Sequence, residues 1–222
     1  KKLNLNENLV PFGNYQGDIS VRRWIIDDPL MTIGIREYTG NDPERYIHWA
    51  SSLRYGKLMV KNFDFTTDTE VKIILNIESS KPFWVGVEEE KVETCISLCR
   101  GVVEELEQSG IPYSFISNSY GGYDRLENSN TLYSNNYNEI LMYLGKMAYG
   151  VRIQFEELID SIVNRRTDFT TFVVITPKVF DSYIKPLAKL TQKGNKVILI
   201  SLDENNLKKL DTSIIKYVRR IS

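Results

Sequence analysis

VKIILNIESSKPFWVGVEEEKVETCISLCRGVVEELEQSGIPYSFIS, residues 71–117, contains the two changes of hydrophobic period on which the fold turns. Residues 71–77 form a short apolar run with little polar alternation, closed by Glu-Ser-Ser-Lys-Pro, which predicts a strand buried on both faces. Over residues 88–109 the period becomes helical: Val92, Cys95, Ile96, Cys99, Val102, Val103 and Leu106 share one stripe. Glu88, Glu89 and Glu90 open that helix, where negative charge complements the helix dipole, and Gly110 ends it. A second apolar strand is expected at 111–117. Strand, helix, strand is the unit that builds a parallel sheet.

The alternation continues toward the C-terminus. Residues 119–138, rich in Asn, Ser, Gly and Tyr, read as a surface excursion with an edge strand, and Gly121-Gly122 within it as a turn. Helices are expected near 137–149 and 155–165, then a strand at 171–175, a helix at 178–193, a strand at 196–202, a short helix at 204–210 and a strand at 214–218. The whole predicts an α/β domain over residues 71–222. Its doubly wound, mostly parallel, Rossmann-like sheet has five or six strands, with 71–77 central. Toward the N-terminus, TTDTE at 66–70 is a polar connector. It bounds a small N-terminal β-rich subdomain over residues 1–70, with strands at 21–26 and 30–38. Leu58 and Val60 take one parity and Phe63 and Phe65 the other, so a bulge is expected near Asn62.

Within that subdomain, IREYTGNDPERYIHWASSLRYGKLMV at 35–60 holds the sole His of the chain, a Trp, three Tyr and three Arg. Asp42-Pro43 predicts a helix start: the carboxylate can accept free N–H groups, and Pro costs nothing at the first position. Tyr46, Ala50 and Leu53 follow at helical spacing, and Gly56 is placed to stop the helix. Arg36, Tyr38, Asp42, Arg45, His48, Trp49 and Arg54 are thereby held on one unit. Arg36, Asp42, Arg45 and Arg54 are expected to form a buried salt-bridge network with Trp49 packed alongside. A docking surface is the alternative. His48 has no recognisable nucleophile or orienting acid nearby and is assigned a structural role.

Composition excludes several classes. Among 222 residues, 28 basic side chains face 29 acidic ones, for a net charge of −1, which argues against a nucleic-acid binder. No apolar run approaches the ~18 residues of a membrane span, so no membrane insertion by this segment is expected. Cys95 and Cys99, on the apolar stripe, read as small buried thiols, and a single His makes a zinc site improbable. Neither a phosphate-binding G-x-x-x-x-G-K-[ST] loop nor a G-x-G-x-x-G turn is present.

The motif at 35–60 resembles a bacterial domain-of-unknown-function family, number fifty-eight, usually encoded beside MoxR-type AAA+ ATPases. The family signature is met by Arg36, Glu37, Tyr38, Asp42, Arg45, Ile47, His48, Trp49, Ser52, Arg54, Gly56, Leu58 and Val60. Asn41 stands where the family has Gly, and Leu53 where it has Ala. The resemblance implies that residues 71–222 form a von Willebrand factor A-like domain. In such domains the loop after the first strand often reads Asp-x-Ser-x-Ser and holds Mg²⁺. Here the matching positions are Asn76, Glu78 and Ser80, and the place of a further Asp reads Ile175-Thr176-Pro177. An amide replaces the anionic anchor, so a degenerate metal site with no tightly bound metal and no cofactor is expected, Mg²⁺ being the alternative. The resemblance further implies a non-catalytic protein-interaction or scaffold module, acting with a MoxR-type AAA+ ATPase in protein assembly or maturation. Its place would be cytoplasmic, with a tether to the inner membrane supplied by upstream segments, since the chain begins at Lys1. The alternative is a metal-dependent hydrolase using Glu78 and Ser80.

Overall fold

The structure, a computed structural model, describes residues 9–11, 32–40, 47–63, 70–108, 110–120, 133–164, 170–192 and 194–219. The strand expected at 21–26 and the helix start at Asp42-Pro43 lie outside these residues. The chain divides into two compact units: residues 27–68, and residues 1–26 together with 69–222.

The larger unit is built on a five-stranded parallel core flanked by helices. Its strands are β4 (Val71–Leu75), β5 (Tyr113–Ser117), β9 (Thr171–Thr176), β10 (Lys196–Ser201) and β11 (Ile215–Arg219). β4 is hydrogen-bonded in parallel to both β5 and β9, so the most continuously apolar segment is central, as expected. Two short antiparallel strands extend the sheet, β1 (Leu9–Pro11) beside β11 and β7 (Tyr133–Ser134) beside β5. The full order is β1-β11-β10-β9-β4-β5-β7.

Because side chains alternate along a strand, β4 serves both layers. Ile73 and Leu75 belong to the core that includes Cys95, Cys99 and Leu106 of α2 (Glu89–Gln108) and Ile140 and Leu144 of α3 (Tyr137–Lys146). Ile74 belongs to the opposite core, with Phe155, Leu158 and Ile159 of α4 (Phe155–Val163) and Leu187 and Leu190 of α5 (Ile184–Leu190). Cys95 and Cys99 are buried free thiols, and burial raises both thiol pKa values.

Four boundaries depart from the sequence reading. β1 belongs to the α/β sheet and not to the small unit: it covers the outer edge of β11, with Pro11 opposite Tyr217 at a position where its missing N–H is tolerated. The helix expected over 178–193 is a 3-10 turn, Asp181–Tyr183, followed by α5. Pro186 has no N–H for the Ser182 carbonyl, so an α-helical ladder cannot run through from 178. The short helix expected at 204–210 is reduced to a 3-10 turn, Leu207–Lys209. The helix expected to reach residue 149 stops at Lys146, and β8 (Ala148–Val151) pairs with β6 (Ser119–Tyr120) in a separate ladder.

In the smaller unit, β2 (Thr32–Glu37) and β3 (Met59–Phe63) pair antiparallel. The register shifts between Thr32 and Gly34, opposite Phe63 and Asn62, so the irregularity expected near Asn62 falls on the partner strand.

Phe172 on β9 is fully buried beneath α4 and α5. Phe172→Ala should cost about 3–5 kcal/mol, read as a lower midpoint in urea denaturation.

Candidate functional site at the carboxyl end of the sheet

In doubly wound sheets ligands bind beyond the carboxyl ends of the strands, where strand order reverses; here that crevice lies between β4 and β9. Asn76, the first residue beyond β4, has no exposure to solvent. Its Nδ2 donates to Thr176 Oγ1 at 2.9 Å and, more weakly, to the Tyr183 hydroxyl at 3.4 Å. Its Oδ1 accepts from Asn118 Nδ2 at 2.7 Å and from the Glu78 backbone at 3.0 Å. Asn118 Oδ1 in turn accepts the Ile77 N–H at 2.9 Å. The ends of β4, β5 and β9 are thus tied by neutral amides and one hydroxyl, with both ends of the Asn76 amide engaged.

Glu78 is also completely buried. Its Oε2 accepts from the Tyr183 hydroxyl at 2.8 Å and from the Phe155 backbone N–H at 3.2 Å. Phe155 opens α4, whose own cap residue, Gln154, makes no side-chain capping bond. Glu78 therefore supplies the acceptor and the negative charge at that helix start from a distant part of the chain. Among the described residues Oε1 has no hydrogen-bond partner, but the Lys81 ammonium lies 2.7 Å away as an ionic neighbour. The same ammonium donates to both oxygens of Glu156, at 2.8 and 3.0 Å. It also stands 5.1 Å from the centre of the Tyr183 ring, within reach of a cation–π contact.

These neighbours shift the titrations in a consistent way. Burial disfavours charge on Lys81, but the bonds to Glu156 and Glu78 outweigh it and raise its pKa above the ordinary lysine value. Burial likewise opposes ionisation of Glu156, but hydrogen bonds from Lys81, Ser182 and its own backbone lower its pKa below 4.5. Burial and the adjacent Glu78 charge push the Tyr183 hydroxyl up, so it acts as a donor throughout the accessible pH range.

The sequence singled out Asn76, Glu78 and Ser80; the structure joins the first two in one network and leaves Ser80 half-buried beside it. Lys81, Glu156, Asn118 and Tyr183 were missed. Lys81 carried a faint signal, a positive charge three residues after Glu78. Tyr183 carried none, standing 105 residues from its partner. Immediately beyond Lys81, Phe83 packs against the core while Trp84 and Val85 are 73% and 69% exposed. Among the described residues, no three His, Cys, Asp or Glu side chains converge as a metal centre would require.

The motif residues of the smaller unit are arranged differently from expectation. α1 (Trp49–Tyr55) is capped by His48, whose Nδ1 accepts the Ser51 N–H at 3.2 Å. The helix cannot continue back toward Asp42, because Ile47 is bridged to Val60 as an extended residue. Gly56 ends α1 in the left-handed conformation at φ 66°, the role expected of it. Ala50 and Leu53 face solvent, and the helix is seated through Ser51 and Ser52. Ser52 Oγ accepts the buried Met59 N–H at 2.9 Å and lies 3.1 Å from the His48 carbonyl, to which it donates. Arg54 is exposed and Trp49 is 64% exposed, so these two are not buried members of a network. Arg36 is half-buried and donates to the Glu37 carbonyl at 3.2 Å, and the Tyr38 hydroxyl donates to the Gly40 carbonyl. Asp42 and Arg45 lie outside the described residues.

Ser52→Ala should leave the Met59 N–H without its acceptor and destabilise the smaller unit by about 1–3 kcal/mol, seen as faster amide exchange in α1 and β3. For the buried cluster, the lowered pKa of Glu156 means that its stabilisation is present above 4.5 and lost as pH falls through the lowered value. The raised pKa of Lys81 means that its stabilisation is present at neutral pH and lost as pH rises through the raised value. Lys81→Met should move the Glu156 titration, followed by carboxyl NMR, upward to 4.5 or beyond.

No family model matches the chain, and no curated protein matches it.

Proposed function

We propose that the chain is a non-catalytic protein-interaction or scaffold module of the von Willebrand factor A-like kind. The observation that carries this reading is the commitment of Glu78. A hydrolase using this loop would need that carboxylate as a metal ligand or general base. Both of its oxygens are instead engaged, by Lys81 on one side and by Tyr183 and the α4 backbone on the other.

The strand order supports the fold assignment. Counted along the chain from β4, the sheet from β7 to β11 runs 3-2-1-4-5-6, the doubly wound order, with its third strand short and antiparallel. The motif in residues 35–60 supports a partnership with a MoxR-type AAA+ ATPase in protein assembly or maturation, at the cytoplasmic face of the inner membrane. Among the described residues, no helix is long and apolar enough to cross a membrane, in keeping with a domain that works beside it.

Trp84 is the natural anchor for such a partner. It is a large, solvent-exposed aromatic in the turn that follows Lys81, and its neighbour Phe83 is partly buried against the core. Trp84→Ala should weaken binding to the neighbouring MoxR-type ATPase roughly tenfold or more, while the melting temperature stays close to the parent's. Calorimetric titration of the full chain with that ATPase is the measurement. Equal binding by the parent and the variant would remove Trp84 from the interface, and no binding by either would remove the ATPase as partner.

A further inference from the structure

The Glu78–Lys81–Glu156 cluster has the anatomy of a cation site. Glu78 presents a fully buried carboxylate, Glu156 a half-buried one, and both reach the same point in space from different elements. That point holds the Lys81 nitrogen, 2.7 Å from Glu78 Oε1 and 2.8 Å from Glu156 Oε1. Hard divalent cations bind carboxylate oxygens at ~2.0–2.6 Å, so movements of less than about 1 Å would bring both carboxylates to metal-binding distance.

We propose that Lys81 is a tethered resident cation, filling a divalent-cation position between Glu78 and Glu156 and excluding metal from it. The inference rests on the reading of this crevice as the ligand-facing end of an interaction module.

Three features favour the ammonium over an ion from solution. Lys81 lies three residues beyond Glu78 on the same loop, so its local concentration at the carboxylates far exceeds that of any free cation. Its ammonium stands 5.1 and 5.8 Å from the centroids of the Tyr183 and Phe180 rings. Among the described residues, Glu78 Oε1 has Lys81 as its ion-pair partner and no hydrogen-bond partner, and a buried carboxylate without a counter-charge is strongly disfavoured. Two carboxylates around one ammonium also leave the cluster with an excess negative charge, which suits a doubly charged ion once the lysine is removed.

The test is calorimetric titration of the intact chain with MnCl₂, MgCl₂ and CaCl₂, using the parent, Lys81→Ala and Lys81→Ala/Glu156→Gln. The parent should show no saturable site. Lys81→Ala should gain one, roughly tenfold or more tighter than any binding by the parent, and its melting temperature should rise with added Mn²⁺. The double variant should lose the gain. Equal affinity in the parent and Lys81→Ala would show that Lys81 does not occupy the position. A folded Lys81→Ala without binding, or a double variant that still binds, would show that the carboxylates do not form the site. Lys81→Met, which keeps much of the stem, serves as a second variant. If neither single variant folds unaided, recovery of the fold by Mn²⁺ supports the proposal and its absence overturns it. These titrations report on the cation position alone, and the ATPase titration with Trp84→Ala reports on the module reading, so the two can fail separately.

Discussion

A carboxylate with no access to water organises the carboxyl end of this sheet. Glu78 is fully buried, and an ionised carboxyl in that position is sustained only by compensating charge and hydrogen bonds. The compensation comes from three separate parts of the chain: Lys81 on the same loop, the first N–H of α4, and the Tyr183 hydroxyl before α5. Each contact also does structural work elsewhere. The α4 contact caps a helix that lacks a side-chain cap of its own, and the Tyr183 contact anchors an aromatic that packs at 4.6 Å against the Phe155 ring. Loss of any one partner would leave charge uncompensated for the others, so the loop, α4 and the turn before α5 are energetically coupled.

Beside it, Asn76 does with neutral groups what a charged anchor with a metal would do with ions: it holds three strand ends together. An aspartate there would bring a second carboxylate close to Glu78, with repulsion that neutral amides avoid. The asparagine, the buried glutamate and the lysine therefore form one consistent solution. The amide secures the strands, the glutamate supplies a single buried charge, and the lysine answers it. The apolar turn that follows leaves Trp84 exposed to solvent.

Much of the α/β architecture was legible in the chain because its signals are local. Residues 71–77 are too short and too apolar for anything but a buried strand, and the stripe from Val92 to Leu106 has one period only. The 3-10 turn before Pro186 was legible in principle, since the missing N–H marks where the ladder breaks. The ladder of β6 with β8 was not, because AYGV carries no alternation strong enough to separate it from the end of the preceding helix. In the motif, the sequence pointed to the right helix stop at Gly56 and to the helical spacing of Ala50 and Leu53, but not to the seating face: Ser52 seats the helix by bonding the Met59 backbone, a pairing that depends on where β3 runs.

By itself, the sequence determined the order of the five parallel strands and the helices α2 to α4 between them, the central place of β4, the thiols of α2 as core residues and the loop in which the candidate site falls. Each of these follows from hydrophobic period, turn chemistry or immediate neighbours along the chain. The tertiary structure alone decided that β1 closes the far edge of the sheet, that Glu78 caps α4, and that Lys81 stands between Glu78 and Glu156. Those arrangements join residues as much as 210 positions apart, as with Leu9 and Arg219, and they arise from the need to pair an edge and to compensate a buried charge. No local pattern encodes that need, because burial itself exists only once the layers have packed.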